Sequence, residues 1–383
     1  MISKRVKSIP YSGIRRFFEL VEQSEDVVSL GVGEPDFPTP DPMKEAGIMA
    51  IERDYTSYTS NYGILELRER IADKLRRENG IRVDPKNQVL ITTGTSEALD
   101  LVFRAVLEPG DEVIVPEPSY VSYKPCVWFT HANPVPVPTS EENEFRVRAE
   151  DIEKRITKKT KAVIVASPNN PTGSVLGKKD LKQIADVALE HDLLVVSDEL
   201  YEYLIYDKTK HYSIASFKGM EDNVVTINGF SKGCAFTGWR LGYACGPSEI
   251  IEAMMKIHQY SMLSAPSISQ YAALKAFDCK KHVRSMVAEY DRRRKLLVKG
   301  LNELKGISCI MPKGAFYAFP NIRETRMSSE DFAQRLLKEA GVAVVPGSTF
   351  GDSGEGYVRC SYSVSKENII EALVRMERFA SKL

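Results

Sequence analysis

The 383-residue sequence contains only six cysteines and no Cys-x-x-Cys pair, which excludes a disulfide framework or a zinc ribbon as its organising device. Cys126, Cys234, Cys245, Cys279, Cys309 and Cys360 are scattered along the chain, as suits reducing cytosol, and the expected location is cytoplasmic. Of the histidines His131, His191, His211, His258 and His282, no two have metal-ligand spacing, so no metal is expected. Net charge is also missing. The 52 Lys+Arg balance 52 Asp+Glu, and no broad field draws nucleic acid or anionic lipid. The densest basic runs, 292–295 and 154–161, read as solvated surface. No stretch of about 18 apolar residues occurs, and the N-terminal MISKRVKSIPYSG lacks an apolar h-region, so neither membrane spanning nor secretion is expected.

What is present is a globular composition, 43% hydrophobic and 27% charged, which argues against disorder. A single core stops growing at roughly 250–300 residues, so the length predicts two domains. From residue 64 to about 245, helical periodicity alternates with short apolar runs, the pattern of a parallel sheet wrapped by helices. The predicted helices are 64–79, 96–107 and 179–191, and the predicted strands 111–116, 161–166, 193–198, 223–228 and 242–245. Near 280 the composition changes to one long helix, 280–304, followed by FYAFP, VAVVPG, YVRCSYS and a terminal helix from Ser365. These features predict a smaller α+β domain. The proline-rich 35–42 joins an N-terminal piece of it to the large domain, which places a cleft at the junction. The expected division is 1–45 with the small domain, 46–283 as the large domain and 284–383 as the small C-terminal domain.

Several strand ends carry chemistry. Lys232, in GFSKGCAFTGWRLGY (229–243), lies between two predicted strands, and a lysine in a crevice loses its proton readily and becomes a nucleophile. Taken singly, a surface lysine is the plainer reading. Arg240 adds a permanent cation able to hold a phosphate by two parallel hydrogen bonds. Asp198 ends an apolar strand, where doubly wound sheets bind ligands, and a protonated heteroaromatic nitrogen would satisfy it. Tyr201 lies three residues on, with a hydroxyl for an adjacent ring oxygen; an N-capping Asp and a core tyrosine are the bland alternative. Asn170, in SPNNPTG (167–173), sits in a turn after another strand, where a plain turn is sufficient explanation. Thr95 and Ser96, in TTGTSEALDL (92–101), open a helix whose backbone N–H groups suit phosphate, though either residue is equally an N-cap.

Together these residues describe a site for a phosphorylated aromatic cofactor. The segments SLGVGEPDFPTP (29–40), Y-x4-G-x3-LR (58–68), GTSEAL (94–99), SPNNPTG, SDELYE (197–202), SKGCAFTGWRLGY and YVRCSYS (357–363) span nearly the whole chain. In their order and spacing the chain resembles the class I/II aminotransferases of the aspartate and aromatic type. The resemblance implies fold type I, with a mostly parallel seven-stranded sheet, and dependence on pyridoxal 5'-phosphate. It also implies Lys232 as Schiff-base and proton-shuttle residue, Asp198 on the pyridinium nitrogen, and Tyr201 and Asn170 on the ring oxygen. Thr95, Ser96, Ser231 and Arg240 would hold the phosphate, and Tyr120 would stack on the ring. Arg359, helped by the Gly33 N–H and Asn170, would clamp the substrate carboxylate. Tyr58 would reach the neighbouring subunit's cofactor, implying a homodimer with shared sites.

The implied activity is ping-pong transfer of an amino group from an L-amino acid, aspartate or aromatic, to a 2-oxo acid such as 2-oxoglutarate. A lyase or synthase on the same scaffold, or a noncatalytic cofactor-binding regulator, are the alternatives. The family's phosphate-binding serine three residues before the lysine is Gly229 here, so Ser231 or a water is expected to substitute. No second arginine falls in 258–270 to meet an acidic side chain; Arg15 and Arg16 are candidates, though a solvated helix face is the simpler reading. GVG (31–33) precedes prolines that forbid the helix of a dinucleotide fold. GSVLGKK (173–179) reads as a turn before a helix and GDSG (351–354) as a loop.

Overall fold

The computed structural model describes residues 1–11, 13–14, 21 and 26–383. Eight strands run through the first two thirds of the chain: β1 (Val28–Ser29), β2 (Val89–Thr92), β3 (Glu112–Glu117), β4 (Asn133–Pro138), β5 (Thr160–Ala166), β6 (Leu194–Asp198), β7 (Val224–Gly229) and β8 (Gly242–Cys245). Seven of them form one sheet in the order β2-β8-β7-β6-β5-β3-β4. Only β8 runs antiparallel to its neighbours, so the predicted mostly parallel sheet is what forms.

Alternate residues of each central strand feed opposite cores. Val113, Ile164 and Val196 pack beneath the helix Thr95–Val106, whereas Ile114, Val163 and Val195 pack against the helix Lys178–Glu190. Such two-sided burial explains why these strands read as continuous apolar runs. Parallel pairing aligns Ala166 with Asp198 and Asp198 with Ile227. The turns after β5, β6 and β7 therefore open on one edge of the sheet, which brings Asn170, Asp198 and Lys232 together.

The remaining strands are β9 (Tyr317–Ala318), β10 (Val342–Ala343), β11 (Val345–Pro346) and β12 (Val358–Ser361). β11-β12-β9 make an antiparallel sheet, and β1 pairs in parallel with β10, which ties the N-terminal segment to the C-terminal third. Leu297, Phe316, Phe332, Ile369 and Met376 share a core between this sheet and the helices Lys280–Glu303, Ser329–Ala340 and Lys366–Ala380. Ser365 caps the last of these, its hydroxyl accepting from the Asn368 N–H at 3.1 Å.

The helix predicted over 64–79 has two parts, an α-helix from Leu65 to Lys74 and a wider π turn from Leu75 to Asn79. The wider turn sets Asn79 beside Lys74, whose Nζ donates to Asn79 Oδ1 at 2.8 Å, and both side chains reach the buried carboxylate of Glu202. Gly80 then ends the element at φ 74°, a conformation that favours glycine. Among the described residues no helix is long and apolar enough to cross a membrane.

Candidate active site

A cavity of about 410 Å³ opens where the strand ends of the large sheet meet β9 and β12, within the size range of small-molecule sites. Gly33, Thr95, Ser96, Tyr120, Asn170, Asp198, Tyr201, Ser231, Lys232, Arg240 and Arg359 all line it. Tyr58 does not; its side chain is 83% exposed, too far out to serve its own chain's cavity. Arg15 and Arg16 lie outside the described residues.

Lys232 projects from the turn after β7, and its Nζ donates to the Gly33 carbonyl at 2.5 Å. Burial pushes its pKa down to about 8, helped by the nearby Arg359 and Arg240 cations and opposed by Glu34. At pH 7.5 about a quarter of such amines are neutral, against roughly one in a thousand for an ordinary lysine. In the cofactor-free protein, acylation of Lys232 by an amine-selective reagent is therefore expected to rise with pH and level off above about 8. A profile still climbing towards 10, followed by peptide mass, would contradict this environment.

Asp198 forms the opposite wall. Its Oδ2 accepts from the Tyr123 hydroxyl at 2.7 Å and its Oδ1 from the Leu200 N–H at 3.2 Å. Burial raises its pKa, and these two donors work against the rise. A half-buried carboxylate with no cation paired to it among the described residues is suited to a positively charged ring nitrogen. Tyr123 itself stays protonated, because burial and Asp198 push its pKa well above the usual phenol value. Tyr201 shares a 2.9 Å hydrogen bond with the hydroxyl of Tyr317, a cavity residue from β9.

The phosphate end is built by close backbone approach. The helix Thr95–Val106 begins after Gly94, the N-cap at φ 79°, so Thr95 and Ser96 occupy its first turn and neither is the cap. Their N–H groups and hydroxyls face the cavity end of a 12-residue helix, a favourable place for an anion. Arg240 leans over this end: a Cβ on Gly94 would lie 2.8 Å from its Nη2. Its own backbone is held at φ 53°, a strained conformation for a side-chain-bearing residue and one that clusters at ligand clamps. A Cβ on Gly242 would lie 2.7 Å from both Gly94 C and Thr95 N. Gly242→Ala is accordingly expected to displace the helix start, costing about 1–3 kcal/mol and weakening cofactor retention, as thermal melting and cofactor titration would report. At Gly229 a Cβ would meet Gly242 Cα at 3.1 Å and the Thr95 methyl at 3.2 Å, so backbone and Thr95 crowd the place of the family's serine. Ser231 lines the cavity beside it.

Arg359 is buried against the faces of Tyr317 and Phe350. Nη1 donates to Asn170 Oδ1 at 3.0 Å and Nη2 to the Gly31 carbonyl at 2.7 Å, while Nε has no partner. A buried guanidinium with an unused donor and no carboxylate paired to it among the described residues fits a substrate carboxylate. Gly33 contacts Lys232 through its carbonyl.

The profile of the family described as Aminotransferase class I and II matches residues 25–376. The chain belongs to that family. It is similar to the aspartate aminotransferase of Pyrococcus abyssi, 50% identical over 98% of this chain and 97% of that one. It is 48% identical to the aromatic-amino-acid aminotransferase 2 of Thermococcus litoralis, over the same shares of the two chains. The crystal structure of the aromatic aminotransferase from Pyrococcus horikoshii superposes with a TM-score of 0.92 at 50% identity, covering 96% of this chain and 99% of that one. The protein is thus a fold type I, pyridoxal-phosphate-dependent aminotransferase acting on amino and 2-oxo acids.

Tyr123, Tyr317 and Glu34 are among the residues of this aminotransferase's cavity that the sequence did not single out. Tyr123 follows Tyr120 at a helical spacing of three, the one signal that could have placed both at the same wall. A larger cavity of about 530 Å³ lies elsewhere, but it contains neither Asp198 nor Arg359, so the chemistry belongs to the smaller one. Glu199, Glu202 and His211 also come together, outside the cavity, with the Lys74 ammonium already paired to Glu202.

Proposed function

We propose that the enzyme moves the amino group of aspartate or an aromatic amino acid to a 2-oxo acid such as 2-oxoglutarate in a ping-pong cycle. One observation carries the reading: a single cavity holds a readily neutralised amine, an unpaired carboxylate and a buried guanidinium with a spare donor. The names of the two relatives support the donor classes.

When bound, pyridoxal phosphate supplies an electron sink for the substrate carbon that loses its proton. Lys232 would hold the cofactor covalently, and its Nζ, once free, would carry the proton that the substrate α-carbon loses. Asp198 keeps the ring nitrogen protonated. Asn170 and Tyr201 hold the ring oxygen, Tyr120 covers a ring face, and Thr95, Ser96, Ser231 and Arg240 hold the phosphate. Arg359 binds the α-carboxylate, assisted by Asn170 and the Gly33 N–H, which fixes the α-proton towards Lys232. Tyr58 extends to the cofactor phosphate of a second copy in a cytoplasmic homodimer with shared sites; its exposure supports that role. In this reading residues 1–45 and 284–383 make up the small domain and 46–283 the large, cofactor-binding one.

Incubating the holoenzyme with single amino acids and 2-oxoglutarate, and measuring glutamate, tests the reading. Glutamate is expected with aspartate or with phenylalanine, tyrosine or tryptophan. Glutamate only from other donors would overturn the donor assignment.

A further inference from the structure

The larger cavity has features of its own. Strand alternation turns Tyr243 away from its neighbour Gly242, and therefore away from the phosphate end of the active site. Its ring lines the 530 Å³ cavity together with Phe230, Phe277, Val283 and Val287, so most of the wall is apolar. Val283 and Val287 belong to the long helix Lys280–Glu303, the others to the large-sheet side. The Tyr243 side chain is only 3% exposed, yet its hydroxyl has no hydrogen-bond partner among the described residues. The hydroxyl stays open to the cavity rather than sealed in the core, so it offers one donor and one acceptor to an occupant.

The charges around the opening are unequal in a telling way. Every carboxylate there is engaged: Glu78 with Lys280, Asp207 with Arg294, Asp291 with Arg294 and Lys295, and Glu202 with Lys74. Lys208 and Arg284, exposed at the rim, make no hydrogen bond or ion pair among the described residues. Net charge available to a ligand is therefore positive at the rim, polar and neutral at Tyr243, and apolar between.

We infer that this cavity is a second ligand site, separate from the catalytic one, for a small aromatic carboxylate. The ring of the ligand lies against Phe230, Phe277 and the two valines, its polar substituent meets the Tyr243 hydroxyl, and its carboxylate meets Lys208 and Arg284. Gly229, Phe230, Gly233 and Cys234 also line the cavity, on both sides of Lys232 in sequence. An occupant therefore bears on the turn that presents the catalytic amine, and its binding registers at the cofactor. The inference does not depend on which amino acid is the donor.

The test uses 3-(4-hydroxyphenyl)propionate as an unreactive probe, titrated calorimetrically into the holoenzyme, with benzylamine as the cationic control. Because such a probe also meets the catalytic guanidinium, the same titration is run on Arg359→Ala, where one molecule per chain is still expected to bind. In that variant, binding should shift the absorption of the bound cofactor. Lys208→Glu combined with Arg284→Glu is expected to weaken this binding about tenfold or more, and Ala288→Trp, placed on an exposed lining position, to block it. Both surface variants should keep wild-type turnover in the absence of probe, so folding is checked independently. Binding that disappears in Arg359→Ala, or is indifferent to the rim and Ala288 variants, or is matched by benzylamine, overturns the inference. None of these outcomes touches the assignment of the transamination site.

Discussion

Replacing Lys232 by alanine is expected to lower turnover by about 10⁴-fold or more, the loss of a proton carrier and a covalent anchor together. Among the described residues Lys232 is the only amine lining the active-site cavity, and its Nζ donates one hydrogen bond, to the Gly33 carbonyl. Burial has already brought it to about 8, so it exchanges protons near neutrality without further rearrangement. Lys232→Arg keeps the positive charge but stays protonated at any working pH. It should therefore fail as completely as alanine. Rapid-mixing of each holoenzyme with donor alone isolates the first half-reaction, and borohydride followed by peptide mass reports the covalent link. Substantial turnover in the arginine variant would make the role of residue 232 purely electrostatic and refute the proposed proton transfer.

Asp198→Asn should cost about 10²-fold or more in kcat, the equivalent of roughly 3 kcal/mol for a charge pair that loses one member in a buried site. The amide keeps the size of the carboxylate and can still accept from Tyr123, but its NH2 then faces the Leu200 N–H, so the charge and one backbone hydrogen bond are lost together. A pH dependence follows from the same environment. Burial raises the Asp198 pKa, and the Tyr123 hydroxyl and Leu200 N–H restrain it. Only the ionised carboxylate attracts a protonated ring nitrogen. Cofactor capture by the apoprotein should therefore weaken as pH falls through that raised value. Tyr123→Phe removes one restraint, so the loss should begin at higher pH than in the wild type. Equilibrium titration of the apoprotein with pyridoxal phosphate across pH checks both statements. An unchanged midpoint in Tyr123→Phe would leave the 2.7 Å contact without electrostatic effect.

The central strands were legible because burial on both faces writes them as β-branched runs, and β5 to β8 fall within a residue or so of expectation. The two edge strands were not. β4 is Asn-Pro-Val-Pro-Val-Pro, a sequence that argues against a central strand; it pairs only with β3, and at an edge the missing proline donors are tolerated. β2, the four residues Val-Leu-Ile-Thr pairing only with β8, is too short for periodicity to separate strand from helix. At the site, residues at strand ends were found because the chemistry of a strand end is local. Tyr317 was missed because its contact with Tyr201 spans 116 positions, and nothing in FYAFP marks one aromatic as facing a cavity. The partition of Arg359 between Asn170 and Gly31 was equally invisible, since it depends on where β12 meets the N-terminal segment.

That meeting has a bearing on how the enzyme is made. The proposed cofactor residues of a chain's own cavity lie within one continuous stretch, from Thr95 to Arg240, whereas the guanidinium at 359 meets its Gly31 partner across 328 positions. On a ribosome, the cradle for the vitamin emerges well before the acid-binding half. A nascent chain can thus take up its prosthetic group while still unable to hold an amino acid, and turnover begins only once nearly the last strand has left the exit tunnel.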